Sequence, residues 1–298
     1  MIPLKVVLVV SMDPSDLYFA NQLARRLNAA GVVVESQGAG SSSFWRRSLK
    51  AASLCATPWK LPGLLRERGI VAEHLRRTGA IDRAGFGAAG YRLALPDGCT
   101  VHRAQGKGAL HAPQTLETVR GWSPDLLVLC GCSILKAEFL SIPRLGTLNL
   151  HGGLAQRYRG VWTTLWAVVN REPEYVGATV HFVSPGIDDG DIVHQGRPEL
   201  EPHDDPESLY VKVVKLGIEM MASAVAAAAD GSLRRYPLQQ RGELYLSRMV
   251  TPQVLQQAWQ ATEQGVVRDY LAHKQERDRP VLTLMRGAFN GQGGSDGI

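Results

Sequence analysis

Lys5-Val-Val-Leu-Val-Val-Ser11 is followed by Met12-Asp13-Pro14-Ser15-Asp16, and the chain continues through Leu27 to Gly31-Val-Val-Val-Glu35. Residues 5–11 form an apolar, β-branched run that reads as a first strand. Asp13 stands where an N-cap belongs and Pro14 at the first helical position, where its missing N–H costs nothing. Leu17, Ala20, Leu23, Ala24 and Leu27 then recur at helical spacing, so a helix is expected to run to about Gly31. Residues 32–35 read as a second strand. A β-α-β unit at the head of the chain predicts an α/β fold, a doubly wound and mostly parallel Rossmann-like sheet. Outward from it, a third strand is expected near residues 100–104. A helix over 113–122 should deliver the chain to a strand over 125–130. A long helix capped by Asp205 should end at Gly231, with Leu209, Val213, Leu216, Met220 and Met221 as its core stripe.

Composition fits this architecture. The 298 residues are 45% hydrophobic and 20% charged, ordinary values for a globular enzyme of one large domain with or without an appendage. No apolar run approaches the roughly 20 residues that cross a bilayer, so no integral membrane contact is expected. The N-terminus runs straight into a strand without a signal-like segment, which makes a cytoplasmic location the expectation. Of the four cysteines, Cys130 and Cys132 form a Cys-x-Cys pair at a strand end; small buried thiols are the expected reading rather than a metal or redox site.

Chemistry concentrates in two later segments. Asn149-Leu-His151-Gly-Gly153 ends an apolar strand over 147–151, and a second apolar run over 177–183 breaks at Pro185-Gly186 into a loop with Asp188, Asp189 and Asp191. Side chains just beyond a strand's carboxyl end face the ligand crevice of an α/β sheet. If the two strands are neighbours, Asp188 reaches His151. An amide able to donate to an oxyanion, an imidazole able to move a proton and a carboxylate able to hold it suit acyl transfer. Each residue alone would read as a turn cap, a core histidine or a solvated acid.

These segments resemble the folate-dependent formyltransferases, the group that includes methionyl-tRNA formyltransferase, phosphoribosylglycinamide formyltransferase and amino-sugar N-formyltransferases. The resemblance spans residues 124–233. It is carried by Pro124-Asp-Leu-Leu-Val-Leu-Cys-Gly131, Ile134-Leu-Lys136, Ile142-Pro-Arg-Leu-Gly146, Asn149-Leu-His151, Tyr158-Arg-Gly160, Val180-His-Phe-Val183 and Gly186-Ile-Asp188-Asp-Gly-Asp191. It implies a catalytic role for Asn149, His151 and Asp188, and 10-formyltetrahydrofolate as formyl donor. By the same resemblance Cys132, Ser133, Ile134, Leu135, Gly186, Ile187 and Asp191 wall the donor's pteridine pocket, and no metal is implied. Asn149 and His151 would stabilise the oxyanion while Asp188 supports the imidazole and relays protons. Gly153, Ala155 and Gln156 depart from the hydroxyl- and proline-bearing loop of many relatives. No glycine-rich turn follows the first strand, which counts against glycinamide ribonucleotide as acceptor.

The expected organisation is a catalytic domain over 1–235 with a helical insert at about 41–97, then a C-terminal extension over 236–298. The extension should hold a short strand near 242–248 and helices near 252–260 and 265–273, with a frayed tail over 287–298. Residues 44–83 carry nine Lys or Arg against three acidic residues, a surplus larger than the net charge of +5 of the whole chain. This basic insert reads either as a docking face for an anionic partner or as an amphipathic helix pair with solvated arginines. The extension is too short for the RNA-binding domain of the tRNA-modifying relatives, so tRNA ranks below a small-molecule amine. The expected acceptor is an amine that is phosphorylated or nucleotide-linked, such as an amino sugar, or a secondary-metabolite amine. The insert or the C-terminal helices could pack internally or across a homodimer's two-fold axis. Three competing readings remain at this level. One is a 10-formyltetrahydrofolate hydrolase, another a metal-dependent amidohydrolase built on His151, His181, Asp188, Asp191 and His194, and the last a non-catalytic binding module.

Overall fold

The computed structural model of the chain describes residues 4–36 and 61–289. Strand β1 (Val6–Val10) and strand β2 (Gly31–Ser36) flank helix α1 (Pro14–Arg26). Asp13 occupies the N-cap position, yet its side chain makes no capping hydrogen bond. The helix stops at Arg26, short of Gly31, because Asn28 turns into the left-handed region at φ 49°.

Strands β3 (Thr100–Gln105), β4 (Leu126–Cys130), β5 (Gly146–His151), β7 (Ala178–Phe182) and β8 (Ile192–Gly196) complete a seven-stranded sheet. Its order is β3-β2-β1-β4-β5-β7-β8. The first five strands run parallel, and β7 and β8 are added antiparallel. Strand alternation explains why both faces are covered. Val6, Leu8 and Val10 enter one apolar cluster with Leu17, Phe19, Leu209 and Ile218, whereas Val7 and Val9 enter a second with Leu116, Val119 and Phe139.

Four of these contacts come from helices on the first face, α1 and the long α6 (Pro206–Asp230). The cap predicted for α6 is present: Asp205 accepts from the backbone N–H groups of Glu207 and Ser208, and Gly231 closes the helix at φ 78°. Helix α3 (Pro113–Trp122) covers the other face with the short α4 (Ala137–Leu140).

Of the basic insert, residues 41–60, including Phe44, Trp45, Arg46, Arg47, Lys50 and Trp59, lie outside the described residues. What is described is one 26-residue helix, α2 (Leu61–Phe86), not a visible pair. It packs against α6 and against α7 (Pro252–Glu263) of the C-terminal extension. The extension docks through a two-stranded sheet in which β6 (Tyr158–Gly160) pairs in parallel with β9 (Glu243–Tyr245). Helix α5 (Thr163–Val169) lies between β6 and α7. Helix α8 (Val266–Ala272) is followed by a helix the sequence reading lacks, α9 (Lys274–Phe289), which carries Pro280 internally. Residues 290–298 of the expected tail lie outside the described residues. None of the described helices is long and apolar enough to cross a membrane.

Candidate active site

The three expected residues meet because β5 and β7 are antiparallel neighbours, in the register Asn149 opposite His181 and His151 opposite Thr179. Alternation puts Asn149 and His151 on one face of β5, and the cross-strand pairing puts His181 on the same face. The loop after β7 then returns Asp188 over this face. Its backbone is in the left-handed region at φ 46°, a conformation that a short polar side chain tolerates and that often marks a functional position.

Asp188 is the hub. Its Oδ2 lies 3.3 Å from His151 Nδ1 and accepts the Gly160 N–H at 2.8 Å. Its Oδ1 lies 3.4 Å from His181 Nε2 and accepts from Asn149 Nδ2 at 3.4 Å. Burial pushes the Asp188 carboxyl up, but the adjoining His151 and the Gly160 amide outweigh it and hold the group well below the usual carboxylate range. His151 and His181 are 4% and 3% exposed, so both pairs are shielded from bulk water.

The backbone sets the roles of the ring nitrogens. His151 Nε2 faces the Tyr158 carbonyl at 2.8 Å and must donate to it. Nδ1, beside Asp188, is therefore the nitrogen that gains or loses a proton. His181 Nδ1 donates to the Phe182 carbonyl at 2.9 Å, which leaves Nε2 to receive Asn149 Nδ2 at 3.1 Å. His181 is thus a site residue that the sequence reading placed only in a metal set. Its signal was the Val180-His-Phe-Val183 motif, but its register against Asn149 is a tertiary fact. Among the described residues no cluster of three or more His, Cys, Asp or Glu could hold a metal ion.

The triad opens on a cavity of about 1550 Å³. Cys132, Ser133, Ile134, Leu135, Gly186 and Ile187 all line it. Asp191 does not: its carbonyl is held by the Phe182 N–H at 2.8 Å as the chain re-enters the sheet at β8. The 186–188 loop is tied down by Arg159, which donates to the carbonyls of Ile187 at 3.2 Å and Gly242 at 2.8 Å. The extension also reaches the cavity directly through Tyr245, Leu246, Ser247 and Trp259. Cys130 is buried, with its Sγ 3.4 Å from Asp16 Oδ1, and burial pushes both its thiol and that of Cys132 up, so neither is an activated thiolate.

Residues 90–225 match the formyl transferase family. The chain is similar to the methionyl-tRNA formyltransferase of Citrifermentans bemidjiense, 34% identical over 122 residues, which are 41% of this chain and 38% of that protein. It is also similar to the methionyl-tRNA formyltransferase of Methylacidiphilum infernorum, 31% identical over 147 residues, 49% of this chain and 46% of that protein. The chain therefore spans less than half the length of these relatives. Among solved structures, the phosphoribosylglycinamide formyltransferase of Anaplasma phagocytophilum matches with a TM-score of 0.50 at 15% identity, over 82% of this chain and 98% of that chain. An N-formyltransferase of Helicobacter canadensis, in complex with folinic acid and dTDP-3-aminofucose, matches with a TM-score of 0.50 at 12% identity, over 85% of this chain and 79% of that chain. Both share the fold. The segment 90–225, which holds Asn149, His151 and Asp188, belongs to the formyltransferase family.

Proposed function

We propose that this chain transfers a formyl group from 10-formyltetrahydrofolate to the primary amine of a small acceptor. The observation that carries the reading is Asp188, held between two buried histidines, Asn149 and the Gly160 amide at the edge of one large cavity. The cavity wall suits the donor: Leu129, Leu135, Val183 and Ile187 are apolar, and Ile134, which leaves 71% of its surface uncovered, offers further apolar area for a flat ring.

The donor supplies an activated formyl group. The acceptor's amine nitrogen bonds to the formyl carbon as that carbon's bond to the donor nitrogen breaks, and one amine proton moves to the departing nitrogen. Asn149 Nδ2 keeps one N–H on His181 Nε2 and turns the other from its long 3.4 Å contact with Asp188 to the negative charge growing on the formyl oxygen. His151, fixed as an Nε2 donor by the Tyr158 carbonyl, holds or releases a proton at Nδ1, with Asp188 stabilising the charged ring across 3.3 Å. His181 holds the Asn149 amide in place through Nε2.

A nucleotide-linked amino sugar and a secondary-metabolite amine are the two acceptor classes the sequence suggests, ahead of tRNA. The catalytic part over 1–235 supplies the chemistry. The extension over 236–298 shapes the acceptor end, in keeping with Tyr245 and Trp259 in the cavity wall.

The test is calorimetric titration with a stable 10-formyltetrahydrofolate analogue, followed by mass spectrometry of a pool of amines incubated with the donor. Saturable donor binding and a formylated amine formed by wild type but not by His151→Asn are expected. Release of formate with no amine product would mean a hydrolase. Absence of donor binding would overturn the folate reading altogether.

A further inference from the structure

Two neighbouring arginines on the approach to the reacting centre are used differently. Arg157 donates from Nε to the Glu172 carboxylate at 3.0 Å, an ordinary ion pair. Arg159, half-buried on β6, directs its donors to two backbone carbonyls instead, Nε to Gly242 at 2.8 Å and Nη1 to Ile187 at 3.2 Å. Gly160 and Asp188 line the cavity, whereas Arg159 does not. Its guanidinium therefore acts on the cavity only through what it holds.

What it holds is the backbone of Asp188. The Ile187 carbonyl shares one rigid peptide plane with the Asp188 nitrogen, so fixing the direction of that carbonyl restricts the φ of Asp188. That φ is 46°, a left-handed conformation that the surroundings of a non-glycine residue must enforce. The next residue of the same strand, Gly160, gives its N–H to Asp188 Oδ2 at 2.8 Å, the oxygen that also lies 3.3 Å from His151 Nδ1. Adjacent residues of β6 thus hold the backbone and the carboxylate of Asp188 separately.

The other end of the guanidinium bridge is in the C-terminal extension, and that end is firmly seated. Gly242 and Glu243 donate their N–H groups to the carbonyls of Ala155 and Arg157, each at 3.0 Å, and Val161 donates to the Tyr245 carbonyl at 3.0 Å. The extension packs so closely that a Cβ added at Gly242 would lie 2.4 Å from the Arg157 carbonyl carbon. A planar fork can span two carbonyls at once, which a single ammonium group does less well.

We propose that Arg159 is a positioning residue for Asp188, and that through it the extension forms part of the reacting centre. This rests on the formyl-transfer reading of that centre and adds a residue to it: the guanidinium, braced on the Gly242 carbonyl, sets the Asp188 backbone so that its carboxylate meets His151.

The experiment reads amide hydrogen exchange by NMR at Gly160 and Val161 in the intact, donor-free chain, for wild type, Arg159→Lys and Arg159→Ala. The Gly160 amide reports the contact with Asp188, and the Val161 amide reports the joint between β6 and β9. In Arg159→Ala the Gly160 amide should exchange about tenfold faster or more, with Val161 as in wild type. Single-turnover formamide formation should slow by about tenfold to a hundredfold, the cost of misplacing a reacting group by about 1 Å, with donor affinity unchanged within about threefold. Added to Asp188→Asn, the same substitution should cost less than about threefold more, because both act on one interaction. Arg159→Lys, which keeps the charge and one donor group, should show the same pattern at smaller size, and it carries the test should Arg159→Ala unfold. The proposal is overturned if Gly160 exchanges as in wild type, if Gly160 and Val161 accelerate together, which would make Arg159 a staple for the extension only, or if the two kinetic losses multiply. The exchange measurement needs no donor, so its failure overturns the positioning role alone, whereas absence of donor binding would overturn the transferase reading itself.

Discussion

Replacing Asp188 by Asn removes one charge and exchanges the long 3.4 Å acceptor contact to Asn149 Nδ2 for an amide donor. Asparagine also tolerates the left-handed φ of 46°, and its carbonyl can still accept the Gly160 N–H. What is lost is the attraction between the carboxylate and a charged His151 ring whose Nδ1 lies 3.3 Å away. With an effective dielectric constant of about 20, that attraction is at most about 5 kcal/mol. At about 1.4 kcal/mol per decade it corresponds to an upper limit between three and four decades in rate. General acid–base groups contribute about two to four decades, so Asp188→Asn is expected to lower kcat by that range. The assay is single-turnover formation of formamide from 10-formyltetrahydrofolate and the best acceptor of the amine pool, with donor affinity measured in parallel. The folded variant should bind donor normally. A loss of less than tenfold with donor affinity intact would refute the charge-partner role and shift the burden to His181 or to solvent. Stability provides a second readout. Asp188 is depressed in the folded state, so its contribution is present above the ordinary carboxylate range and is lost as pH falls towards its folded value. Asp188→Asn should therefore flatten the acid side of the stability profile.

Asp16 has the opposite sign. Raised from 3.8 to about 7 by burial, its carboxyl destabilises the folded state increasingly as pH rises between those values. Asp16→Asn should gain stability relative to wild type from pH 4 to pH 8, by at most about 4 kcal/mol, read as the difference in urea unfolding at the two pH values; an unchanged difference would show that Asp16 ionises normally. Gly160→Ala tests the joint between β6 and β9. Gly160 sits at φ 88° and an added Cβ would lie 2.0 Å from the Tyr245 carbonyl oxygen, so a loss of at least about 2 kcal/mol and of activity is expected, measured by thermal unfolding and formamide production.

Much of this protein was legible along the chain because its signals are local. The β-α-β opening, the Asp205 cap, the Gly231 stop and the strand ends at Asn149 and His151 follow from periodicity and backbone chemistry within a few residues. Helix α9 was not legible, since Pro280 inside it reads as a breaker. The cap at Asp13 was legible only in position: the helix starts there, yet the side chain belongs to the cavity wall. Sequence also supplied Asn149, His151 and Asp188, because motif spacing survives in one dimension. Only the tertiary structure decided that His181 stands opposite Asn149, that the Tyr158 carbonyl fixes the His151 tautomer, and that Asp191 lies outside the cavity lining. Strand register and backbone carbonyl direction have no residue code of their own. The acidic side chains of the cavity are the clearest case. Asp13, Asp16, Asp82 and Glu207 all line it, and they come from three distant segments of a chain whose net charge is +5. Bulk composition suggested an anionic partner, but the field in a cavity depends on which charges line it and how deeply they are buried.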